Sequence, residues 1–288
     1  MPQPPLSGPI DLHTHSSVSD GTQAPGELVR EAASLGLRAV ALTDHDSTAG
    51  WAEASAAALD AGIMLLPGME LSTRVEWASV HILGYLLDPA DPALAEETAR
   101  IRAGRRDRAE RIVQRIAVDY DLTWEDVLEQ VDEGATVGRP HLADALVARG
   151  HVADRDEAFR RVLASGSPYH VGHYAPRAVD AVRLVLEAGG VPVMAHPLAA
   201  RRGRVVSDAT IAELAAAGLA GLEVDHPDHL PEERAHLRAL AAELGLLSTG
   251  ASDYHGTGRS QALGQQLTDP AVLAAIEDAA RGATAVRG

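Results

Sequence analysis

The stretch DLHTH at residues 11–15, followed by SDG at residues 19–21, carries the strongest structural signal in the chain. The apolar residues at its start predict a β-strand, and alternate residues of a strand face the same side. His13 and His15 therefore share a face and can bind one metal ion together. Asp20 lies in the loop that follows, close enough along the chain to fold back over both histidines.

Outward from this stretch, short apolar runs alternate with helical patterns rich in Ala and Leu, which is typical of β/α units with parallel strands. The helical patterns at 24–35 and 49–61 separate the first three strands, and each ends at a glycine, Gly36 or Gly62. The predicted strands are 10–13, 39–43, 64–67, 80–85, 191–195, 221–224 and 246–250. The order of these elements predicts an α/β fold.

The middle of the chain has a different character, because only helical patterns follow one another from about Ala93 to Gly166. We interpret this block as an all-helical cap domain, residues 93–170, inserted into a barrel domain formed by residues 1–92 and 171–288. Two consecutive domains are the alternative, but the first would then have too few strands to close a sheet around a core. The predicted helices of the block are 100–115, 123–131, 139–149 and 155–163.

The composition excludes several classes of site. The chain has a net charge of -16 and 46% hydrophobic residues, so a large core is available but attraction to duplex nucleic acid or an acidic membrane is not expected. It has no Cys and no Lys, which excludes disulfides, thiolate zinc sites and Schiff-base chemistry. A Pro-rich start and the lack of any long apolar stretch predict a cytoplasmic protein.

Histidines and carboxylates recur at or near the carboxyl ends of the predicted strands, which is where barrel enzymes build their active sites. Besides the first motif they are Asp44, His45 and Asp46, then Glu70, His81 and His196, and finally Asp253 and His255. Imidazole and carboxylate without thiolate suit Mn²⁺, Fe²⁺ or Zn²⁺. Without Asp44 and Asp46, which we interpret as positioning groups, nine candidate ligands remain, more than one ion needs, so we expect two or three ions, with Glu70 and Asp20 as bridges.

Seven motifs, taken in order, resemble the PHP (polymerase and histidinol phosphatase) superfamily, and within it the bacterial nucleotide 3′,5′-bisphosphate phosphatases and 5′-to-3′ exoribonucleases. They are DLHTH at 11–15, SDG at 19–21, TDHD at 43–46, GME at 68–70, HILG at 81–84, AHP at 195–197 and SDYH at 252–255. The resemblance implies a distorted (β/α)7 barrel with a helical insertion. It also implies a trinuclear ligand set of His13, His15, Asp20, His45, Glu70, His81, His196, Asp253 and His255.

Two further motifs bear on the substrate. The sequence GRPH at 138–141 opens a predicted helix and resembles the phosphate-contacting Arg and His of this subgroup, so we expect Arg139 and His141 to bind substrate. A guanidinium meets phosphate oxygens as a fork, although Arg139 could instead be an exposed residue near a helix cap. In EVDHPDH at 223–229, His229 matches the subgroup better than His226, with a solvated loop as the alternative.

The predicted function is hydrolysis of a phosphomonoester by a metal-bridging hydroxide. Arg139 is expected to stabilise phosphoryl charge, together with the metal cluster, and either a metal ion or a nearby His, such as His229, to assist the leaving oxygen. Asp46 is expected to contribute to catalysis by positioning its neighbours, as Asp44 does. The resemblance implies as substrate the 3′-phosphate of a nucleoside 3′,5′-bisphosphate, or short 5′-phosphorylated RNA degraded from its 5′ end. The oligomeric state is left open.

Three other functions remain as alternatives. Histidinol-phosphate phosphatase belongs to the same superfamily, but the helical block and the GRPH motif argue against it. Hydrolysis of a C–N bond commonly uses a carboxylated Lys, which the chain lacks. A catalytically silent PHP module would be expected to have lost ligands. The Arg-rich helix at 100–115 is either a solvated face with i,i+4 ion pairs or a lip that attracts phosphate.

Overall fold

The computed structural model describes residues 8–76, 78–164, 166–200 and 204–288. The strands are β1 Ile10–Thr14, β2 Ala39–Leu42, β3 Met64–Val75, β4 Ala78–Tyr85, β5 Val191–Met194, β6 Gly221–Asp225, β7 Leu247–Gly250 and β8 Val286–Arg287. The helices are α1 Pro25–Ser34, α2 Trp51–Ala61, α3 Pro92–Ile116, α4 Trp124–Leu128, α5 Arg139–Ala148, α6 Arg155–Arg161, α7 Ala178–Glu187, α8 Asp208–Ala216, α9 Pro231–Leu244 and α10 Pro270–Ala279.

The strands form one sheet in which β1 to β7 follow one another in chain order, with β8 paired to β3. The neighbours β1–β2–β3 and β5–β6–β7 are parallel, whereas β4 is antiparallel to both β3 and β5. The two ends of the sheet meet where the His15 N–H donates to the Tyr254 carbonyl at 2.8 Å. The sheet is therefore a nearly closed barrel with surrounding helices, as predicted.

The prediction of a third strand that ends at Pro67 was wrong. The strand β3 continues to Val75 and forms a hairpin with β4, with Glu70 opposite Leu83 and Ser72 opposite His81. Polar residues interrupt this half of β3, so the continuous apolar run from which the strand was predicted ends before the strand does. Because β4 runs in the reverse direction, its amino-terminal half lies at the barrel end that the carboxyl ends of the parallel strands share.

The barrel interior is filled by alternate residues of successive strands and closed by α10. Aromatic residues make up only 3% of the chain, and Tyr85 is the one aromatic in this core, its hydroxyl donating to the Leu12 carbonyl at 2.8 Å. The cluster comprises Ile10, Leu12, Ala39, Ala41, Met64, Leu66, Leu83, Tyr85, Leu86, Val191, Val193, Ala195, Leu273 and Ile276. The opposite strand faces pack on the outer helices.

A bulge in β1 changes which of its residues face inward. Asp11 pairs with Val40 and Thr14 with Leu42, so β1 has one residue more than β2 in this interval. An extra residue shifts the alternation of side chains along the strand. Leu12 therefore packs in the apolar interior while the next residue, His13, already faces the polar end of the barrel.

Helices α3 to α6 connect β4 to the region before α7, and the described residues between β4 and β5 contain no strand. These helices enclose an apolar cluster of their own, made of Ala109, Ile112, Val113, Ile116, Leu122, Val127, Val137, Leu142, Ala143, Ala145, Leu146, Val152, Ala158, Val162, Leu163 and Val171. A separate core is what an inserted cap domain requires. The division at residues 93–170 nevertheless stays a prediction.

Within the described residues, every helix is too short or too polar to cross a bilayer. The longest, α3, spans 25 residues but carries seven of the chain's arginines. The cytoplasmic location inferred from the composition stays a prediction.

The separate core of the helical segment can be tested with Leu146→Ala. Leu146 is fully buried, so we expect a loss of about 2–5 kcal/mol in unfolding free energy. Amide hydrogen exchange should accelerate within residues 109–171 and remain slow in the barrel strands. Leu128→Ala, at a residue 38% exposed, is the control and should cost much less. Equal acceleration in the barrel would show that the two parts unfold as one unit.

Candidate metal centre

The nine side chains proposed as ligands lie together at one end of the barrel. They follow β1, β2, β5 and β7 at their carboxyl ends or lie within the β3–β4 hairpin. Seven are buried, while the side chains of His81 and His196 are 22% and 10% exposed. The cluster is thus open to solvent on the side of these two histidines.

The carboxylate of Glu70 is the centre of the cluster. Its Oε1 lies 2.7 Å from His81 Nδ1 and 3.0 Å from His196 Nε2, while its Oε2 lies 3.0 Å from His45 Nδ1, 3.2 Å from His15 Nε2 and 3.4 Å from His13 Nε2. Each oxygen therefore faces a different set of imidazoles. This is the arrangement that a carboxylate bridging two cations requires.

Two aspartates complete the shell on either side of His15. The Oδ1 atom of Asp253 lies 3.3 Å from His13 Nε2 and 3.2 Å from His15 Nε2. Asp20 has one oxygen 3.3 Å from His255 Nε2 and the other 3.9 Å from His45 Nε2. Asp20 thus lies between two imidazoles, as expected of a second bridging group.

Seven of the nine side chains form three overlapping groups, and within each group one ligand atom from every residue lies within 4.8 Å of the others. The groups are His15, Asp20, His45 and His255; His13, His15 and Glu70; and His45, Glu70 and His81. His15, His45 and Glu70 each belong to two groups. The described residues therefore offer several adjacent positions to cations rather than one isolated position.

Two buried nitrogens indicate that the cluster suits metal ions. Nδ1 of His45 and Nε2 of His255 form no hydrogen bond to any described group. Each nevertheless lies within 3.3 Å of a carboxylate oxygen, of Glu70 or of Asp20. Atoms that approach so closely without hydrogen-bond geometry can share a cation placed between them. Imidazole and carboxylate are also the donors that Mn²⁺, Fe²⁺ and Zn²⁺ accept.

The charges in the cluster are strongly coupled. Burial alone would lower the pKa of His15, but Asp253 and Glu70 raise it to about 9. Burial would raise the pKa of Glu70, yet the surrounding histidines hold it well below its usual range. Burial, with Arg259 and His15 close by, lowers the pKa of His255 to about 4. His15 therefore keeps a proton near neutral pH that a bound cation would displace, whereas His255 is neutral there.

The backbone is strained at three positions of this rim. Asp46, His196 and Asp253 have φ angles of 54°, 30° and 52°, in the left-handed region that residues with a Cβ rarely adopt. Each follows a strand that delivers a ligand. Such strain persists where surrounding contacts enforce it, and it is concentrated at functional sites.

Asp44 and Asp46 order the loops that carry the ligands. Asp44 accepts hydrogen bonds from the Ser16 N–H at 2.8 Å and from the Ser19 hydroxyl at 2.6 Å, which fixes the loop leading to Asp20. Asp46 accepts the Ser72 N–H and hydroxyl, both at 2.7 Å, and pairs with Arg105 at 2.9 Å. Both carboxylates are therefore engaged by the protein itself, and their contacts are those of positioning residues.

Glu223 joins the site although no sequence motif assigned it a role. It is fully buried on β6, accepts from His13 Nδ1 at 2.9 Å, and accepts the His196 N–H at 2.8 Å. Because Glu223 engages Nδ1 of His13, the other ring nitrogen, Nε2, faces the cluster. A carboxylate behind a metal-binding histidine usually has this role. Burial would raise the pKa of Glu223, but His13 lowers it to about 2. A Glu within the predicted strand 221–224 was the signal available.

His226 and Arg259 also reach the cluster. His226 is fully buried, with its ring 5.4 Å from that of His196 and its Nε2 3.5 Å from Asp253 Oδ2. Nothing in the sequence separates His226 from an ordinary loop histidine. Arg259 lies 3.3 Å from Asp253 and 3.8 Å from Asp20.

The three residues predicted to bind substrate lie in different surroundings. Arg139 donates to the Leu163 carbonyl at 3.3 Å and lies over the ring of Phe159. His141 Nδ1 accepts the Gly138 N–H at 3.0 Å, so only its Nε2 could contact a ligand.

The ring of His229, predicted to bind substrate, is held by the main chain. Its Nδ1 donates to the Val224 carbonyl at 2.9 Å, and its Nε2 accepts the Leu198 N–H at 3.2 Å. Burial also lowers its pKa, which favours the neutral ring that this pairing needs. Both ring nitrogens are thus engaged by the main chain, and His229 joins the loops after β5 and β6 rather than presenting an atom to a leaving oxygen.

The role of Glu223 predicts the effect of Glu223→Gln, which keeps the shape and removes the charge. We expect metal affinity to fall about 10- to 100-fold, because His13 loses its charged partner. Titration against a competing chelator measures this without any substrate. Glu232→Gln, at an exposed position of α9, is the control. Unchanged affinity in the Glu223 variant would mean that Glu223 only fills space.

Comparison with known proteins agrees with this geometry. A family model described as PHP domain matches residues 11–167. A 3′,5′-nucleoside bisphosphate phosphatase from Chromobacterium violaceum is 38% identical over 250 residues, covering 86% of this chain and 88% of that protein. A 5′-3′ exoribonuclease from Haemophilus influenzae is 33% identical over 245 residues, covering 85% and 89%.

Among solved structures, a protein from Bifidobacterium adolescentis assigned as a metal-dependent phosphoesterase matches with a TM-score of 0.93 and 41% identity. The match covers 96% of this chain and 98% of that one. The similarity thus extends over the barrel and the helical segment alike. The chain belongs to the PHP domain family and is an enzyme of its metal-dependent phosphoesterase class.

Proposed function

We propose that the chain removes the 3′-phosphate from nucleoside 3′,5′-bisphosphates, using two or three divalent ions held by the nine clustered side chains. The observation that carries the proposal is the position of Glu70, whose two oxygens face five imidazoles within 3.4 Å. Mn²⁺, Fe²⁺ and Zn²⁺ fit this donor set. Such ions, when bound, make a water-derived nucleophile available near neutral pH and offset charge on the phosphoryl oxygens.

The protein's own part in the reaction is to hold and orient these groups. Glu70 and Asp20 would bridge neighbouring ions, since each lies between imidazoles of different groups. Glu223 keeps the Nδ1 proton of His13 on the outer side, so that Nε2 is the coordinating atom. Asp46 fixes the loop of His45 through Ser72 and Arg105.

Arg139 is proposed to contact a substrate phosphate. It begins α5 in the helical segment, and burial and the nearby charges of Arg105 and Arg259 lower its pKa. A guanidinium among like charges gains from an anion that offsets them. His141, three residues into the same turn, could offer its Nε2 to that phosphate.

Short 5′-phosphorylated RNA is the second candidate substrate, supported by the identity with an exoribonuclease over most of the chain. Duplex nucleic acid is not proposed, because the net charge of -16 opposes it. The discriminating measurement is phosphate or nucleotide release from adenosine 3′,5′-bisphosphate, a short 5′-phosphorylated RNA and histidinol phosphate. Release from histidinol phosphate alone would favour that alternative, and no release from any with metals present would indicate a silent module.

Metal content tests the ligand set. We expect elemental analysis of metal-replete protein to find two to three equivalents of Mn, Fe or Zn for each chain. His13→Ala, Glu70→Ala and Asp253→Ala should each lose metal and abolish turnover while circular dichroism stays unchanged. His236→Ala, at a half-exposed histidine paired with Asp208, is the control and should retain both. One equivalent or fewer in the wild type would contradict a cluster.

Arg139→Ala tests substrate recognition separately from the chemistry. Loss of a charge-assisted contact costs about 1.5–3 kcal/mol, so KM for adenosine 3′,5′-bisphosphate should rise roughly 10- to 150-fold. KM for p-nitrophenyl phosphate, which has a single phosphate, should change far less. Arg149→Ala, just beyond the other end of α5, is the matched control. Equal losses on both substrates would give Arg139 a role in the fold or the chemistry instead.

A further inference from the structure

The strand β6 lies between two strands that lead to candidate metal ligands. His196 follows β5, and Asp253 and His255 follow β7, whereas β6 supplies none of the nine. Because β5, β6 and β7 are parallel, the carboxyl end of β6 lies at the same end of the barrel. The polar residues found there, Glu223 and His226, are both fully buried. Buried polar side chains need partners, and these two find them among the ligands.

A bulge in β6 turns both side chains toward the metal centre. Between Glu223 and Asp225, β6 has one residue more than β7. Val224 packs in the outer apolar cluster, and the carboxylate of Asp225 pairs with Arg238 of α9, so two consecutive residues face outward. The alternation of side chains is shifted by this extra residue. His226 therefore faces inward, three residues after Glu223.

The ring of His226 is oriented by its own loop. Its Nδ1 accepts the main-chain N–H of Asp228 at 3.0 Å. Its main-chain carbonyl accepts the N–H of His229 at 3.1 Å and the guanidinium of Arg234 at 2.8 Å. A ring nitrogen that accepts a hydrogen bond cannot carry the proton, so the proton of the neutral ring is on Nε2. The loop thus fixes both the direction and the donor atom of this side chain.

That donor atom faces Asp253, whose two oxygens have different surroundings. Oδ1 lies 3.3 Å from His13 Nε2 and 3.2 Å from His15 Nε2. Oδ2 instead lies 3.5 Å from His226 Nε2 and 3.3 Å from the guanidinium of Arg259. Carboxylates that bind metal ions are themselves usually hydrogen-bonded by the protein. Oδ1 is therefore the inner oxygen, available to a cation, and Oδ2 is the outer oxygen, available to protein donors.

His226 also contacts the candidate ligand that follows β5. Its ring lies 5.4 Å from the ring of His196 at an angle of 65°. Glu223 accepts the main-chain N–H of the same residue at 2.8 Å. His196 has a φ angle of 30°, and a strained backbone persists only where its surroundings enforce it. Contacts from β6 and its loop thus hold both the main chain and the ring of His196.

We propose that His226 is a positioning residue of the metal centre, whose Nε2–H donates to the outer oxygen of Asp253 and keeps the inner oxygen turned toward the cations. Glu223 supports the ligands of β1 and β5, and His226 supports those of β5 and β7. This inference rests on the proposed function, because it takes His196 and Asp253 as metal ligands. His226 acts on metal affinity through Asp253 and contacts neither the substrate nor a cation.

The first test separates the donor of His226 from the volume of its ring. His226→Phe keeps an aromatic ring without the donor, whereas the side-chain amide introduced by His226→Gln can take the place of Nε2–H. Titration of Zn²⁺ against a competing chelator should show an affinity about 10- to 100-fold lower for His226→Phe and close to the wild type for His226→Gln. His236→Phe, at a half-exposed histidine, is the control and should match the wild type. Wild-type affinity in His226→Phe, or an equal loss in His226→Gln, would overturn the inference.

Nuclear magnetic resonance of the histidine rings tests the contact without metal or substrate, and it does not depend on whether the His226 variants fold. In the metal-free wild type, the ring nitrogens of His226 should show the Nε2-protonated form, with its proton shifted downfield by the acceptor. Asp253→Ala should move this proton upfield. Asp225→Ala removes a carboxylate that pairs with Arg238 on the outer side and should leave the proton in place.

The two tests distinguish failure of this inference from failure of the proposed function. A wild type that binds no metal, but retains the Nε2 proton and its dependence on Asp253, would overturn the proposed function and leave the contact standing. A ring proton on Nδ1 of His226, or an Nε2 proton that does not respond to Asp253→Ala, would overturn the inference itself.

Discussion

Five imidazoles face the carboxylate of Glu70, which is buried, and the arrangement of the barrel's polar end depends on that contact. A buried charge without partners would cost several kcal/mol, so the surrounding rings must hold either protons or cations. Strain at Asp46, His196 and Asp253 is tolerated because the chain must leave each strand in the direction that brings a ligand to this carboxylate. The charged groups and the strained backbone thus both serve to place ligands around the carboxylate of Glu70.

The β3–β4 hairpin is what allows one carboxylate to have so many neighbours. In a barrel that contains only parallel strands, each strand contributes to the site only through residues at its carboxyl end. Here β3 extends past that end as far as Val75, so Glu70 lies within the strand, and the returning β4 places His81 beside it. Two ligands from adjacent strands therefore reach the same side of the cluster.

The sequence predicted much of this fold and of the candidate site, since apolar runs, glycine stops and the positions of histidines are local features. Seven of the strands were found, and the nine predicted ligand residues lie together. The length of β3, the direction of β4 and the partner of His13 could not be predicted, because each depends on contacts between distant segments. Glu223 is 210 residues from His13, and only the closed barrel brings them together.

The junction between β1 and the segment that follows β7 affects when the site can form during synthesis. His13 and His15 emerge early in synthesis, but Asp253 and His255, and the Tyr254 carbonyl that closes the sheet, come near the end of the 288 residues. A nascent chain therefore contains some of the candidate ligands before it contains the complete cluster. The complete set of candidate ligands therefore comes together only after the segment that follows β7 has been synthesised and has paired with β1.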